Sequence, residues 1–383
     1  MIASALGRGD FLACLGATTA AATFPQLTPT VSIGVCAPLS GSAKAIGQRL
    51  ADGVQGAINY ANERAGTLSR TFVMRTFDDQ NSVSNGVLQA SFAVGDSSIV
   101  AMVGHVSSDV TLQAIPTYGP AQMPLVVPFC TDDRLTATPY HCVFRLPTKD
   151  SFEGMLFARS AIDQFKPKLP YVFVQDADYG ADVANGFIDA MTARKIGVQY
   201  QQFPYSGADF NKVVATALAV QPDYVFLAGV VGDMGPLLGV LRAKGYTGPI
   251  GASQGFFDPG TLKLGDAAEG ITVSTSMPYL PLAPSTVVAR EEFETHFGRM
   301  DAYAAFGYAA AQIIIAAVQR SNATARNAVV TAIAQGVPID TMVGEYSFTP
   351  FGDAVQPQIY YYAVRKGAFA YLRQAHPSGF MIK

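Results

Sequence analysis

Ser107 and Ser108 stand where an apolar run of strand length, Ile99 to Gly104, gives way to a helical pattern. A strand that feeds a helix start leaves backbone N–H groups free, and the positive end of the helix dipole favours an anion there. A serine hydroxyl adds a donor suited to a carboxylate. The chemistry on offer is anion holding, set against the plainer reading of an ordinary capped helix. Other polar and aromatic residues also fall just after apolar runs: Phe129-Cys130-Thr131, Asp150, Asp178-Tyr179, Gly229-Val230 and Gln254. In open α/β sheets, ligands bind beyond the carboxyl ends of the strands. The set holds hydroxyls, aromatics and an amide, without a clustered acid, base and nucleophile. It suits holding a small polar molecule better than transforming one.

One pattern points to an enzyme instead. Gly251-Ala252-Ser253-Gln254-Gly255 fits the nucleophile elbow of α/β hydrolases, with Ser253 as nucleophile and Asp266 with His296 or His376 as partners. An elbow needs a helix directly after the serine, whereas Phe256-Phe257-Asp258-Pro259-Gly260 reads as a loop. No phosphate-binding Walker loop occurs, and no Gly-x-Gly-x-x-Gly follows the first strand, so no nucleotide cofactor is expected. His105, His141, His296 and His376 show no metal-ligand spacing with the cysteines, and no metal is expected. The acidic pair Asp78-Asp79 reads as a solvated strand end.

The elements that must position these residues alternate. Strands are predicted at 31–39, 72–77, 99–104, 124–128 and 143–145, with amphipathic helices between them. The pattern then restarts with helix 151–165 and strands at 171–175, 198–203, 224–228, 249–251 and 271–275. Beyond residue 276 it changes to helices at 286–297, 302–320 and 324–334, then short strand-like runs at 346–348, 358–364 and 369–372. Such alternation means an α/β fold with parallel sheets, and the near-repetition about residue 148 means two similar lobes. The apolar run Tyr308 to Val318, broken by Gln312, is too short to span a bilayer and reads as a buried core helix.

Composition narrows the function. Of 383 residues only 14% are charged, against a usual share of about 25%. A formal net charge of −3 offers no basic face to nucleic acid. Arg8 precedes an apolar, Ala-rich stretch ending in Ala20-Ala21-Ala22, which reads as a secretory signal peptide over 1–22. Phe11-Leu12-Ala13-Cys14 is a poor lipobox, so no lipid anchor at Cys14 is expected. Export places the mature chain outside the cytoplasm. There Cys130 and Cys142, each beside a predicted strand, have the opportunity to form a disulfide. Cys36 sits inside an apolar strand and reads as a buried free thiol.

Together these residues resemble the periplasmic solute-binding proteins of the branched-chain amino-acid (Leu/Ile/Val) transport family. The resemblance runs from Val31 to about Gly367. It is carried by Val35 to Gly41, Phe77-Asp78-Asp79, Val103-Gly104-His105 with the following serines, Pro128 to Thr136, and Phe144-Arg145. In the second half it is carried by Asp176 to Gly180, Asp223 to Phe226 and Gly270 to Val273. It implies a type I periplasmic-binding fold of two Rossmann-like lobes joined by three crossings and closing on a ligand. The lobes would comprise 31–148 with 277–345, and 149–276 with 346–383.

The resemblance also implies roles. Ser108 matches the serine that holds the ligand carboxylate, and Thr131 the threonine that contacts carboxylate and amine. Phe129 matches the residue whose carbonyl faces the amine, and Tyr179 the second-lobe tyrosine that closes over the ligand. Ile46 and Tyr303 fall where side-chain pocket aromatics stand. Gln254 replaces a glutamate that pairs with the ligand ammonium, Val230 replaces a tyrosine, and Asp150 is a candidate to supply part of the lost charge. A neutral amide gives no ion pair to offset desolvation of an ammonium. The expected ligand is therefore a neutral-tailed or aromatic carboxylic or keto acid rather than leucine. The expected partners are the permease subunits of an ABC importer at the inner membrane, served by a monomer. A sensing module docking on a membrane receptor is the alternative. The family's disulfide positions hold Asn81 and Ser107 here.

Overall fold

The computed structural model describes residues 29–64, 70–204, 207–277 and 286–375. The export segment with Cys14, and His376, lie outside the described residues. The first half runs β1 (Thr30–Ala37), α1 (Lys44–Glu63), β2 (Thr71–Asp78), α2 (Val83–Gly95), β3 (Ile99–Gly104), α3 (Ser108–Tyr118), β4 (Leu125–Val127) and β5 (Val143–Arg145). These strands form an all-parallel sheet in the order β2-β1-β3-β4-β5. β3 is buried along its whole length. Helices on both faces leave it no solvent side, which is why it reads as a continuous apolar run.

The second half runs α4 (Asp150–Phe165), β6 (Pro170–Gln175), α5 (Asp178–Thr192), β7 (Gln199–Phe203), α6 (Phe210–Ala219), β8 (Tyr224–Ala228), α7 (Val231–Ala243), β9 (Ile250–Ala252), α8 (Pro259–Leu262) and β10 (Thr272–Thr275). The chain then adds α9 (Val287–Phe297), α10 (Ala302–Ser321), α11 (Arg326–Ala334), a β11 (Ile339–Thr341) and β12 (Gly344–Tyr346) hairpin, β13 (Ile359–Arg365) and β14 (Ala368–Ala375). The second sheet has the order β14-β13-β10-β9-β8-β6-β7. Its core is parallel, while β13 and β14 join antiparallel at one edge.

The helices after β10 return to the first sheet, where α10 packs on α1. Glycines set that crossing. A Cβ on Gly53 would stand 2.0 Å from the Ala304 carbonyl, and one on Gly307 would stand 2.3 Å from that of Leu50. Any side chain at either position would force the helices apart. α10 is apolar and long enough to cross a membrane, yet 72% of its most apolar window is buried inside the protein. It is a core helix.

The chain passes between the lobes after β5, after β10 and after β12. The last passage lies against the first sheet, since Arg145 donates its N–H to the Gly352 carbonyl at 2.8 Å.

The expected Cys130–Cys142 disulfide is corrected. Cys36, Cys130 and Cys142 are all free and buried. Cys142 lies beside the first residue of β4, its carbonyl accepting the Leu125 N–H, while Cys130 lies beyond the far end of that strand. The two thiols thus sit toward opposite ends of β4 and form no disulfide.

Candidate functional site

The carboxyl ends of the two sheets meet in a chain of polar contacts. It starts at α3, whose N-cap Ser107 makes no side-chain cap bond, so its first-turn N–H groups are not occupied by it. Ser108 begins the helix and is half-buried. The Thr111 hydroxyl lies 3.2 Å from the Cys130 thiol, which also reaches the His105 and Val106 carbonyls at 3.5 Å. Burial pushes that thiol up to about 12, which makes it an inert packing group rather than a nucleophile. Cys130 thereby ties the start of α3 to the loop that carries Phe129 and Thr131. The Phe129 ring packs edge-on against Tyr303 at 5.4 Å and against Phe306 at 6.0 Å. Ile46 is half-buried in the first turn of α1.

Thr131 leads to the other lobe. Its carbonyl accepts the Asp150 N–H at 3.0 Å. Asp150 opens α4 and is buried, and its Oδ1 has no hydrogen-bond partner. Burial, with the nearby Glu153 charge, holds its carboxyl well above the usual carboxylate range.

Glu153 lies one helical turn on, on the same face. Its Oε1 accepts from Gln254 N at 2.7 Å and from Ser274 Oγ at 2.6 Å. Burial pushes it up to about 7, against the pull of Ser274, the Gln254 N–H and Tyr179. The Tyr179 hydroxyl in turn accepts the Gly255 N–H at 3.0 Å. Val230 donates its N–H to Gln175 Oε1 at 2.9 Å, beside Gly229.

Gln254 is oriented by chemistry alone. One end of its amide receives Ser276 N at 2.9 Å and Ser276 Oγ at 2.7 Å. A backbone N–H can only donate, so that end is the oxygen. The half-buried amide therefore presents its NH2 as a donor.

Above these contacts Arg134, gripped by Asp132, reaches Asp178 of α5 at 2.9 Å. This bridge joins the lobes, but both partners are more than half exposed, so it contributes little.

Sequence reasoning missed Glu153, although its i, i+3 spacing from Asp150 was a usable signal, and it missed Ser276. Two readings are corrected. Ser253 is no elbow nucleophile: it is fully buried, its Oγ is spent on the Gly229 backbone at 2.9 and 3.1 Å, and only a short 3-10 turn follows it. His296 is exposed on α9. Nor is Asp79 solvated. It is buried 2.7 Å from His105 Nδ1, while Asp78 binds the Leu39 N–H and the Ser40 hydroxyl. Cys36, Asp79 and His105 bring three ligand-type atoms within 4.8 Å. His105 bonds both Asp79 and Tyr118, tying the ends of β2 and β3 to α3.

The Glu153 carboxyl makes a prediction about pH. With its folded value above its ordinary 4.5, its contribution to stability is fully present below that value and is lost as pH rises through about 7. Thermal melts between pH 5 and pH 8 should show a loss approaching 3 kcal/mol from this group. Glu153→Gln, which keeps an acceptor for Gln254 and Ser274, should flatten that part of the profile. An identical profile in the variant would show that Glu153 titrates normally.

A family model described as periplasmic binding protein matches residues 30–368. The chain is 25% identical to Leu/Ile/Val-binding protein homolog 3 of Brucella melitensis over 85% of this chain and 89% of that one. An ABC transporter substrate-binding protein from Desulfitobacterium hafniense, solved with leucine, superposes with a TM-score of 0.76 at 24% identity, covering 90% of this chain and all of that one. A solute-binding protein of an ABC transporter from R. palustris, solved with benzoate, gives 0.70 at 19% identity, covering 91% and 97%.

Proposed function

Because this chain belongs to the periplasmic binding protein family, we propose that it is an extracytoplasmic receptor that delivers a small carboxylate to an ABC importer. In this reading the lobe carrying Ser108 and Thr131 fixes the carboxylate, and contacts from Tyr179 and Gln254 stabilise the closed form. The relatives are named for ligands of two kinds, branched-chain amino acids and benzoate. Both carry a carboxylate, and only the first carries an ammonium.

The observation that carries our choice between them is the Gln254 amide. Its oxygen is committed to Ser276, so its free end donates. A donor there matches a keto or hydroxyl oxygen and opposes an ammonium, which can only donate. Asp150 and Glu153 are both held above the ordinary carboxylate range, so in their neutral forms they are donors too. The ligand class is therefore an aromatic or 2-oxo acid. One observation favours a second reading: the unpartnered, buried Oδ1 of Asp150 would suit an ammonium if that carboxyl ionised on binding.

A thermal-shift screen of amino, 2-oxo and aromatic acids tests the proposal. The oxo or aromatic acids should stabilise the protein; stabilisation by leucine, isoleucine or valine alone would refute the class. Ser108→Ala should weaken the best ligand by about 1–3 kcal/mol, the cost of a charge-assisted hydrogen bond. Unchanged affinity would return the start of α3 to an ordinary helix cap.

A further inference from the structure

Arg134 is a cation among four carboxylates where the lobes face each other. Asp132 and Asp133 stand on the first lobe, at the cap and the start of the short 3-10 turn that follows β4. Asp178 and Asp182 stand one turn apart on α5 of the second lobe, and Asp178 directly precedes Tyr179. Arg134 is held from its own side: its Nε donates to Asp132 Oδ1 at 3.0 Å, its Nη2 to Oδ2 at 2.5 Å, and its backbone N–H to Oδ1 at 2.8 Å. The same Nη2 reaches Asp178 Oδ2 at 2.9 Å. Asp132 is buried, and against that burial Arg134 draws its carboxyl below the usual range. Asp182 shows the opposite balance. Its burial, and then the charges of Asp133, Asp132 and Asp178, hold its carboxyl above the usual range. Two of those three charges belong to the other lobe. Asp133 itself accepts the Ser151 N–H of α4 at 3.0 Å and lies 3.7 Å from Lys149.

We propose that Arg134 is a positioning residue for closure: acting through Asp178, it holds α5 and Tyr179 against the first lobe and so sets how tightly the receptor keeps its ligand. The proposal rests on the closing-receptor reading and adds a control to it. The attraction within one exposed pair is small. The larger effect is what the guanidinium prevents. Without it, closing the cleft sets Asp132 and Asp133 against Asp178 and Asp182, and like charges pressed together are costly. Because Asp132 already grips Arg134, little side-chain freedom is lost when the fork meets Asp178.

Calorimetry of leucine and 4-methyl-2-oxopentanoate at low and high salt tests this, with melting temperatures confirming that each variant folds. Arg134→Gln should weaken whichever acid binds by about tenfold at low salt. The parent's affinity should fall as salt rises, because salt screens the bridge. The variant's should rise, because salt screens the repulsion. Asp178→Asn leaves the grip of Asp132 on Arg134 intact and should cost about threefold. In the Asp178→Asn background, Arg134→Gln should cost no more than about another threefold. An equal tenfold loss in both backgrounds would overturn the proposal, since Arg134 would then act through the Asp132 loop and Thr131 alone. So would unchanged affinity in both single variants. If the parent binds neither acid, the ligand reading fails on its own, and small-angle scattering of the ligand-free proteins tests the latch. Arg134→Gln should then enlarge the radius of gyration at low salt, and equal radii would overturn the proposal.

Discussion

Arg145→Ala should destabilise the protein by about 3 kcal/mol, the lower end of the cost of breaking a buried ion pair, since Asp353 is itself a quarter exposed. Arg145 has no exposed surface. Its guanidinium donates to the Asp353 carboxylate at 2.6 and 3.0 Å, to the Thr136 hydroxyl at 2.6 Å, and to the carbonyls of Thr131 and Asp132 at 2.9 and 2.5 Å. The fork thus holds three things at once: the end of β5, the loop that presents Thr131, and the third passage between the lobes. Alanine would leave the Asp353 carboxylate with only the Thr136 hydroxyl, and would strip one bond each from the Thr131 and Asp132 carbonyls, which keep the Asp150 and Leu135 N–H groups. Arg145→Lys should recover only part of the loss, because an ammonium on a flexible stem cannot satisfy a planar set of acceptors. Urea denaturation reads the effect directly. A loss under about 1 kcal/mol for the alanine variant would mean that water repairs the gap and that the fork is dispensable.

Gln254→Glu should invert the ligand preference. Ser276 will continue to hold one oxygen of the side chain, through the same N–H and hydroxyl. The other end changes from a neutral donor to an anionic acceptor of nearly the same shape. An amino acid should gain a charge-assisted contact, and a 2-oxo acid should meet an acceptor facing its own oxygen. The affinity ratio of leucine to its 2-oxo counterpart should therefore rise by about two orders of magnitude, the equivalent of 2.8 kcal/mol. Calorimetry of both ligands on both proteins supplies the ratio. An unchanged ratio would show that the second carbon of the ligand does not face residue 254.

Much of the fold was legible in the sequence because parallel strands buried on both faces leave continuous apolar runs, and β1 and β3 are runs of this kind. Looking just past the strand ends also picked out Ser108, Thr131, Asp150, Tyr179 and Gln254; of these, Thr131 bonds Asp150, and Gln254 bonds Glu153 on the same helix as Asp150. What stayed hidden depended on distant partners. Asp79 looked solvated because the histidine that buries it lies 26 residues away. Glu153 went unnoticed because its partners, Gln254 in a 3-10 turn and Ser274 in β10, lie more than a hundred residues on. Cys130 and Cys142 looked able to pair because proximity in sequence says nothing about the two ends of one strand. The donor orientation of Gln254 could not be read at all without Ser276 beside it.

The central claim is that this cleft holds a carboxylate whose second carbon bears an acceptor and not an ammonium. Leucine and 4-methyl-2-oxopentanoate share a skeleton and differ only at that atom. Titration calorimetry of the two against the unmodified protein at neutral pH is the direct measurement. The 2-oxo acid should bind at least about tenfold tighter, a difference of 1.4 kcal/mol or more. Tighter binding of leucine would contradict the claim and place the ammonium against Asp150.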